Sequence, residues 1–208
     1  MQRTENYQST KWESCICQDK SISLKDTYKR GWSSIDFVET FENYEDKSRP
    51  GIKAKQQVLK WIKNIDNPDS ATHIFLIGSN GTGKSHLAKA CVNHFSEINQ
   101  IGQYILYPEF SLIVEDFGEN SNRINQLKSI VEQPILIFDE MYFGYERSKY
   151  KSSKFDEILL TRWEYKRPTL ITGNVELKQL SDPIKSRFSD KKLTVVVDLW
   201  NEQDQRLL

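Results

Sequence analysis

The chain has 208 residues, of which 38% are apolar and 28% charged, and its 29 basic side chains balance 29 acidic ones. This composition excludes wholesale disorder and is enough for one sizeable α/β core. Balanced charge excludes a protein that coats nucleic acid by charge alone, but it leaves room for a local basic groove.

The first fourteen residues, MQRTENYQSTKWES, lack the apolar stretch of a signal peptide. No run of about 18 apolar residues occurs, so no spanning helix and no membrane partner is expected. The cysteines are Cys15, Cys17 and Cys91, an odd set that reads as free thiols of a reducing compartment. The expected location is cytoplasmic.

Residues 1–40 are polar, with scattered aromatics (Tyr7, Trp12, Tyr28, Trp32, Phe37) and no clear period. They read as an N-terminal arm that docks on a partner, and residues 41–208 read as one domain. Cys15 and Cys17 could form half of a zinc site, which needs four ligands. No second pair follows, so two ordinary cysteines is the preferred reading.

From Ile52 the pattern becomes helical, with Val58, Leu59, Ile62 and Ile65 at helical spacing and Asn67-Pro68-Asp69 as the closing turn. A β-type run at 73–77 ends in a glycine-rich loop. Residues 85–95 then carry Leu87, Ala88, Cys91, Val92 and Phe95 on one helical face. Further apolar runs at 104–107, 135–138, 169–172 and 193–197 predict strands. Between them, 108–116, 122–131 and 154–165 read as helical or mixed. Strands alternating with helices imply a parallel sheet covered on both faces.

The loop Gly78-Ser79-Asn80-Gly81-Thr82-Gly83-Lys84-Ser85 satisfies G-x-x-x-x-G-K-[ST]. Glycines there permit backbone angles that turn successive N–H groups into one concavity for phosphate oxygens. Lys84 is expected to reach the β- and γ-phosphates of ATP, and Ser85 to bind Mg²⁺. The helix that starts there, with His86 in its first turn, adds its positive dipole end. A strand before the loop and an amphipathic helix after it supply the context that a chance glycine turn lacks.

Ile135-Leu-Ile-Phe-Asp139-Glu140 is an apolar strand ending in two carboxylates. In P-loop enzymes such an aspartate supports the Mg²⁺ held by the loop hydroxyl. The following glutamate can polarise the attacking water. The alternative is a pair of solvated turn residues. Asn174, at the tip of the next strand, could hold that water or the γ-phosphate. Arg187 lies near the end of a short helix over 182–188.

Together these residues resemble AAA+ ATPases of the DnaC/DnaI helicase-loader group, itself similar to the IstB transposition ATPases. The markers are Thr40-Phe-Glu-Asn-Tyr44, the two acidic and phosphate motifs, Arg167-Pro-Thr-Leu-Ile-Thr-Gly-Asn174 and Ile184-Lys-Ser-Arg187-Phe188. The resemblance implies a three-layer P-loop fold with a five-stranded parallel sheet and no C-terminal helical lid. It implies that Asn174 is the sensor that reads the γ-phosphate, and that Arg187 is a finger acting on ATP in a neighbouring copy. It further implies a ring-shaped replicative helicase and single-stranded DNA as partners, with the arm gripping the helicase.

Three departures accompany it. Arg206 is the one candidate for a second sensor arginine, the arm is too poor in cysteine for the zinc domain of DnaI-type loaders, and Gly173 stands where serine is usual. For DNA, the places to look are residues 107–117 and the loop 142–151. That loop holds Tyr142, Phe143, Tyr145 and Tyr150 with Arg147, Lys149 and Lys151. Two other readings of the same core remain: a transposition helper ATPase, and a nucleotide-switched adaptor with little turnover.

Overall fold

Local sequence signals explain where the chain enters each element. We describe residues 37–45, 48–115, 121–142 and 149–200 of a computed structural model. Helix α1 (Arg49–Lys63) begins at Ser48, whose Oγ accepts from Gly51 N at 3.0 Å, and it carries proline in its first turn. Its buried face is Gly51, Ala54, Val58 and Trp61, and Trp61 Nε1 donates to Thr72 O. The expected apolar face is therefore rotated. Ile52 and Leu59 are each 39% exposed, while Gly51 and Ala54 lie on the buried face.

Strand β1 (His73–Ile77) follows, then α2 (Lys84–Glu97), β2 (Gly102–Leu106), α3 (Tyr107–Glu115), α4 (Ser121–Glu132), β3 (Ile135–Tyr142), α5 (Lys149–Glu164), β4 (Thr169–Asn174), a 3₁₀ turn (Leu177–Gln179), α6 (Asp182–Ser189) and β5 (Thr194–Asp198). The five strands form one parallel sheet in the order β2-β3-β4-β1-β5. The chain after β1 thus crosses to the far edge, and β3 and β4 fill the gap. Ligands of open α/β sheets bind at the carboxyl ends of strands beside such a reversal.

Each face of the sheet carries its own core. Ile74, Leu76, Tyr104, Ile135, Ile137 and Leu170 meet α1, α2 and the segment 37–45 on one side. Phe75, Ile105, Leu136, Phe138 and Ile171 meet residues of α3, α4, α5 and α6 on the other. This is the three-layer α/β arrangement expected of a P-loop AAA+ chain, and among the described residues no helix follows β5.

Three boundaries differ from the sequence reading. Tyr107 opens α3 instead of ending β2, because the Glu109 side chain accepts from Leu106 N and turns the chain into a helix. Helix α5 starts at Lys149, five residues before the expected 154. Strand β3 does not stop before the acidic pair but continues to Tyr142 through a bulge. Phe138 pairs with Ile171 and Met141 with Gly173, so Asp139 and Glu140 together face Thr172.

Among the described residues, the largest fully buried side chain is Arg162 of α5. Its guanidinium donates to Ile130 O, Val131 O and Gln133 O at the end of α4, and to Pro168 O and Thr169 Oγ1 at the start of β4. It therefore closes the orphan carbonyls of one helix end and ties them to the sheet. Burial, with Arg167 nearby, lowers its pKa to about 9, so it stays charged at neutral pH.

Candidate nucleotide-binding site

The glycine-rich loop connects β1 to α2 at the sheet's carboxyl edge. Gly81 and Gly83 have φ of 75° and 83°, left-handed angles that a side chain would resist. Gly78 is needed for a different reason. A Cβ there would lie 2.7 Å from the Leu199 carbonyl carbon, and Leu199 N donates to Ile77 O at 2.7 Å. Gly78 N itself donates to Gly173 O. The loop thus starts between the tips of β4 and β5.

Lys84 is only 8% exposed and its Nζ donates to Gly78 O at 2.9 Å, Ser79 O at 2.5 Å and Thr82 Oγ1 at 3.3 Å. Thr82, fully buried, also donates to Ser79 O. The loop is therefore closed by its own side chains, with the ammonium held at its mouth.

Asp139 is the most heavily bonded acid in the site and is fully buried. Its Oδ1 accepts from Ser85 Oγ at 3.0 Å, from Thr172 Oγ1 and from Glu140 N at 3.0 Å. Its Oδ2 accepts from Tyr104 OH at 2.6 Å. Ser85 and Asp139 make an oxygen-only pair of the kind that suits Mg²⁺, a hard cation that keeps several waters and substrate phosphates as further ligands. Among the described residues no group of three or more His, Cys, Asp or Glu could hold a metal ion by protein ligands alone.

Glu140 sits in the bulge with φ of 61°, and its side chain is exposed beside the loop. Thr172 Oγ1 accepts from Glu140 N at 3.0 Å while donating to Asp139, so one hydroxyl spans the bulge. Asn174 Nδ2 donates to Asn80 Oδ1 at 3.3 Å, which links the tip of β4 to the loop. A cleft of about 930 Å³ is lined by Asn80, Gly81, Thr82, Gly83, Lys84, Ser85 and His86, and also by Glu140, Thr172 and Asn174. Arg187 is exposed on α6 and does not line the cleft.

The other wall of the cleft comes from the segment 37–45, through Glu39, Asn43 and Glu45. This segment is docked on α2. His86 Nε2 bonds Thr40 O at 2.9 Å, Lys89 Nζ donates to Glu39 Oε1 at 2.7 Å, and Asn93 Nδ2 donates to the carbonyls of Phe37 and Glu39. Phe41 and Tyr44 are buried. Burial by itself would raise the Glu39 carboxyl, but the Lys89 hydrogen bond, a backbone hydrogen bond and the charge of Lys89 together hold it below the usual range.

Sequence reasoning missed Tyr104 and Thr172 as parts of the site, and missed Glu39, Asn43 and Glu45 as its wall. Tyr104 lies in an apolar strand where a tyrosine reads as core. Thr172 could have been found, because β4 carries a threonine one residue beyond the level of Phe138. Tyr107 and Phe110, weighed for base stacking, are buried in the core instead. Most of the loop 142–151, along with Cys15, Cys17 and Arg206, lies outside the described residues. Cys91 is a free, buried thiol.

The family model described as "IstB-like ATP binding protein" matches residues 25–198. The chain belongs to this IstB-like family. It is an ATP-binding protein with an AAA+ fold. Among solved structures, DnaI is 21% identical with a TM-score of 0.65, covering 78% of this chain and 91% of that one. The DnaC helicase loader is 20% identical with a TM-score of 0.62, covering 76% and 96%. The replication initiator DnaA, bound to AMPPCP and single-stranded DNA, is 22% identical with a TM-score of 0.63, covering 79% of this chain and 51% of that one. At these identities the likeness establishes the fold. No curated protein matches the chain. For this IstB-like chain, no described helix is long and apolar enough to cross a membrane.

Proposed function

We propose that this protein is a Mg²⁺-dependent ATPase of DNA replication that loads a ring-shaped replicative helicase and engages single-stranded DNA. The observation that carries the reading is the Ser85–Asp139 pair at 3.0 Å under the phosphate loop, with Glu140 beside it on the cleft. Ser85 and Asp139 hold the metal, Lys84 and the loop amides hold the phosphates, and Glu140 orients the attacking water. Asn174 reads the γ-phosphate from the tip of β4.

Arg187 acts on the ATP of a neighbouring copy. Its exposure, and its position outside its own cleft, support that role. A finger supplied in trans makes hydrolysis depend on assembly. The arm at 1–40 grips the helicase, and the reading carries a cytoplasmic location with it. Support for the replication role comes from the likeness to a helicase loader and to an initiator bound to single-stranded DNA.

ATPase activity measured against protein concentration and single-stranded DNA tests this for wild type, Lys84→Ala and Arg187→Ala. Turnover should rise more steeply than linearly with concentration, and Lys84→Ala should abolish it. Arg187→Ala should bind ATP normally yet lose the concentration-dependent part. An Arg187→Ala protein as active as wild type at every concentration sinks the finger assignment.

The IstB-like family match favours one second reading, a transposition helper built on the same core. Full-length protein that captures a transposase, and no helicase, selects it. A nucleotide-switched adaptor is separated by Glu140→Gln, which traps ATP in a hydrolase and changes little in an adaptor.

A further inference from the structure

The four bonds on Asp139 are unevenly shared. Three donors, from Ser85, Thr172 and the Glu140 amide, converge on Oδ1, whereas Oδ2 has one donor, the Tyr104 hydroxyl at 2.6 Å. Tyr104 is 2% exposed and sits on the β2 face that packs against α2. Its ring meets Phe37 edge-on, with centroids 5.0 Å apart, and Phe37 is itself held by Asn93 and has Lys89 over its ring. The phenol is thus fixed by packing and has its oxygen on the carboxylate.

From this geometry we infer that Tyr104 is a positioning residue for the divalent cation: it clamps Asp139 Oδ2 so that the carboxylate presents one fixed orientation beside Ser85. The inference rests on the reading of the cleft as a Mg²⁺–nucleotide site. A turn about the last side-chain bond of aspartate moves both carboxylate oxygens together, so the Tyr104 bond to Oδ2 acts with the three donors on Oδ1 to fix one orientation. Removing the hydroxyl leaves Oδ2 facing an apolar ring, and the carboxylate must rotate or recruit water. Partners of this kind, one shell beyond the metal, typically change metal affinity by 10–100-fold.

Tyr104→Phe tests the assignment, because it removes one oxygen and keeps the ring. Binding of a fluorescent ATP analogue is measured in EDTA, and Mn²⁺ binding to the nucleotide-loaded protein is measured by electron paramagnetic resonance. The expected result is nucleotide affinity without metal within about two-fold of wild type, and a Mn²⁺ half-saturation raised about ten-fold. Unchanged Mn²⁺ affinity overturns the inference, and so does an equal loss of nucleotide affinity in EDTA, which marks a merely structural role. If the wild type binds nucleotide without Mn²⁺ contributing, the metal-site reading fails first and takes this inference with it. Should Tyr104→Phe not fold, 3-fluorotyrosine incorporation gives an independent readout. The ¹⁹F resonance of residue 104 should shift when diamagnetic Mg²⁺ is added to nucleotide-loaded protein, and no shift overturns the clamp.

Discussion

Thr172 Oγ1 accepts the Glu140 amide proton at 3.0 Å, so the hydroxyl of one strand fixes the backbone of an unpaired residue in the next. The bond holds Glu140 at φ of 61°, an angle that costs a residue with a Cβ about 1–2 kcal/mol. The position is therefore kept for its carboxylate at the expense of its backbone.

It follows that Glu140→Gly stabilises the protein while abolishing hydrolysis. Relief of the angle, less the entropy of glycine, gives a net gain of about 0.5–1 kcal/mol. For a chain of this size that is a rise of roughly 1–4 °C in Tm. Differential scanning calorimetry without nucleotide checks it, with Glu140→Gln as the neutral comparison. A lower Tm for the glycine variant refutes the strain account.

Arg162 is the second residue whose replacement has a directed outcome. Truncation to alanine removes five donated hydrogen bonds and leaves the carbonyls of Ile130, Val131, Gln133 and Pro168 without this donor in a buried setting. The loss should be about 3–5 kcal/mol, since each hydrogen bond to a charged group contributes about 1.5–3 kcal/mol and the carbonyls of Val131 and Pro168 keep another donor. Arg162→Lys should recover only part of it, since an ammonium cannot fork across two chain segments. Urea denaturation of both variants decides this, and a lysine variant as stable as wild type contradicts the clamp.

His73 gives stability a pH dependence. It lies at the start of β1 with its ring 5.0 Å from Trp163, and burial, helped by the charge of Arg162, lowers its pKa from 6.5 to about 3. The folded protein therefore keeps His73 neutral in a window where the unfolded chain takes up a proton. Its contribution is complete above about pH 6.5 and is lost as pH falls from there toward 3, by at most about 1.4 kcal/mol per pH unit. Between pH 7 and 5.5 the wild type should lose about 1 kcal/mol more than His73→Phe in urea titrations. Parallel pH profiles for the two proteins would exclude His73 as the source.

The sequence was most informative where one residue type can do one job. The glycines at 81 and 83, Lys84 and the apolar strand before Asp139 each announce their role, and the sheet follows from strands spaced by helices. It was least informative where the deciding partner is distant in the chain. Tyr104 and Asp139 are 35 positions apart, and a tyrosine inside an apolar run looks like core until the register pairs it with Ile137, two residues before the carboxylate that its hydroxyl reaches. The bulge was illegible for a related reason. Two adjacent acids suggest a strand that ends, and only Met141 pairing with Gly173 shows that it resumes. The face of α1 was misjudged because periodicity counts large apolar residues, whereas small Gly51 and Ala54 share the buried face with Val58 and Trp61.

The contact between Gly78 and Leu199 joins the first residue of the phosphate loop to the last stretch of the described chain. The nucleotide site is therefore built against a backstop supplied from the opposite end of the sequence. Leu199 does not line the cleft, yet its backbone occupies the space that any side chain at position 78 would need. The residue that follows β5 is in this sense an anvil for the motif, and the loop's shape depends on two stretches more than a hundred positions apart.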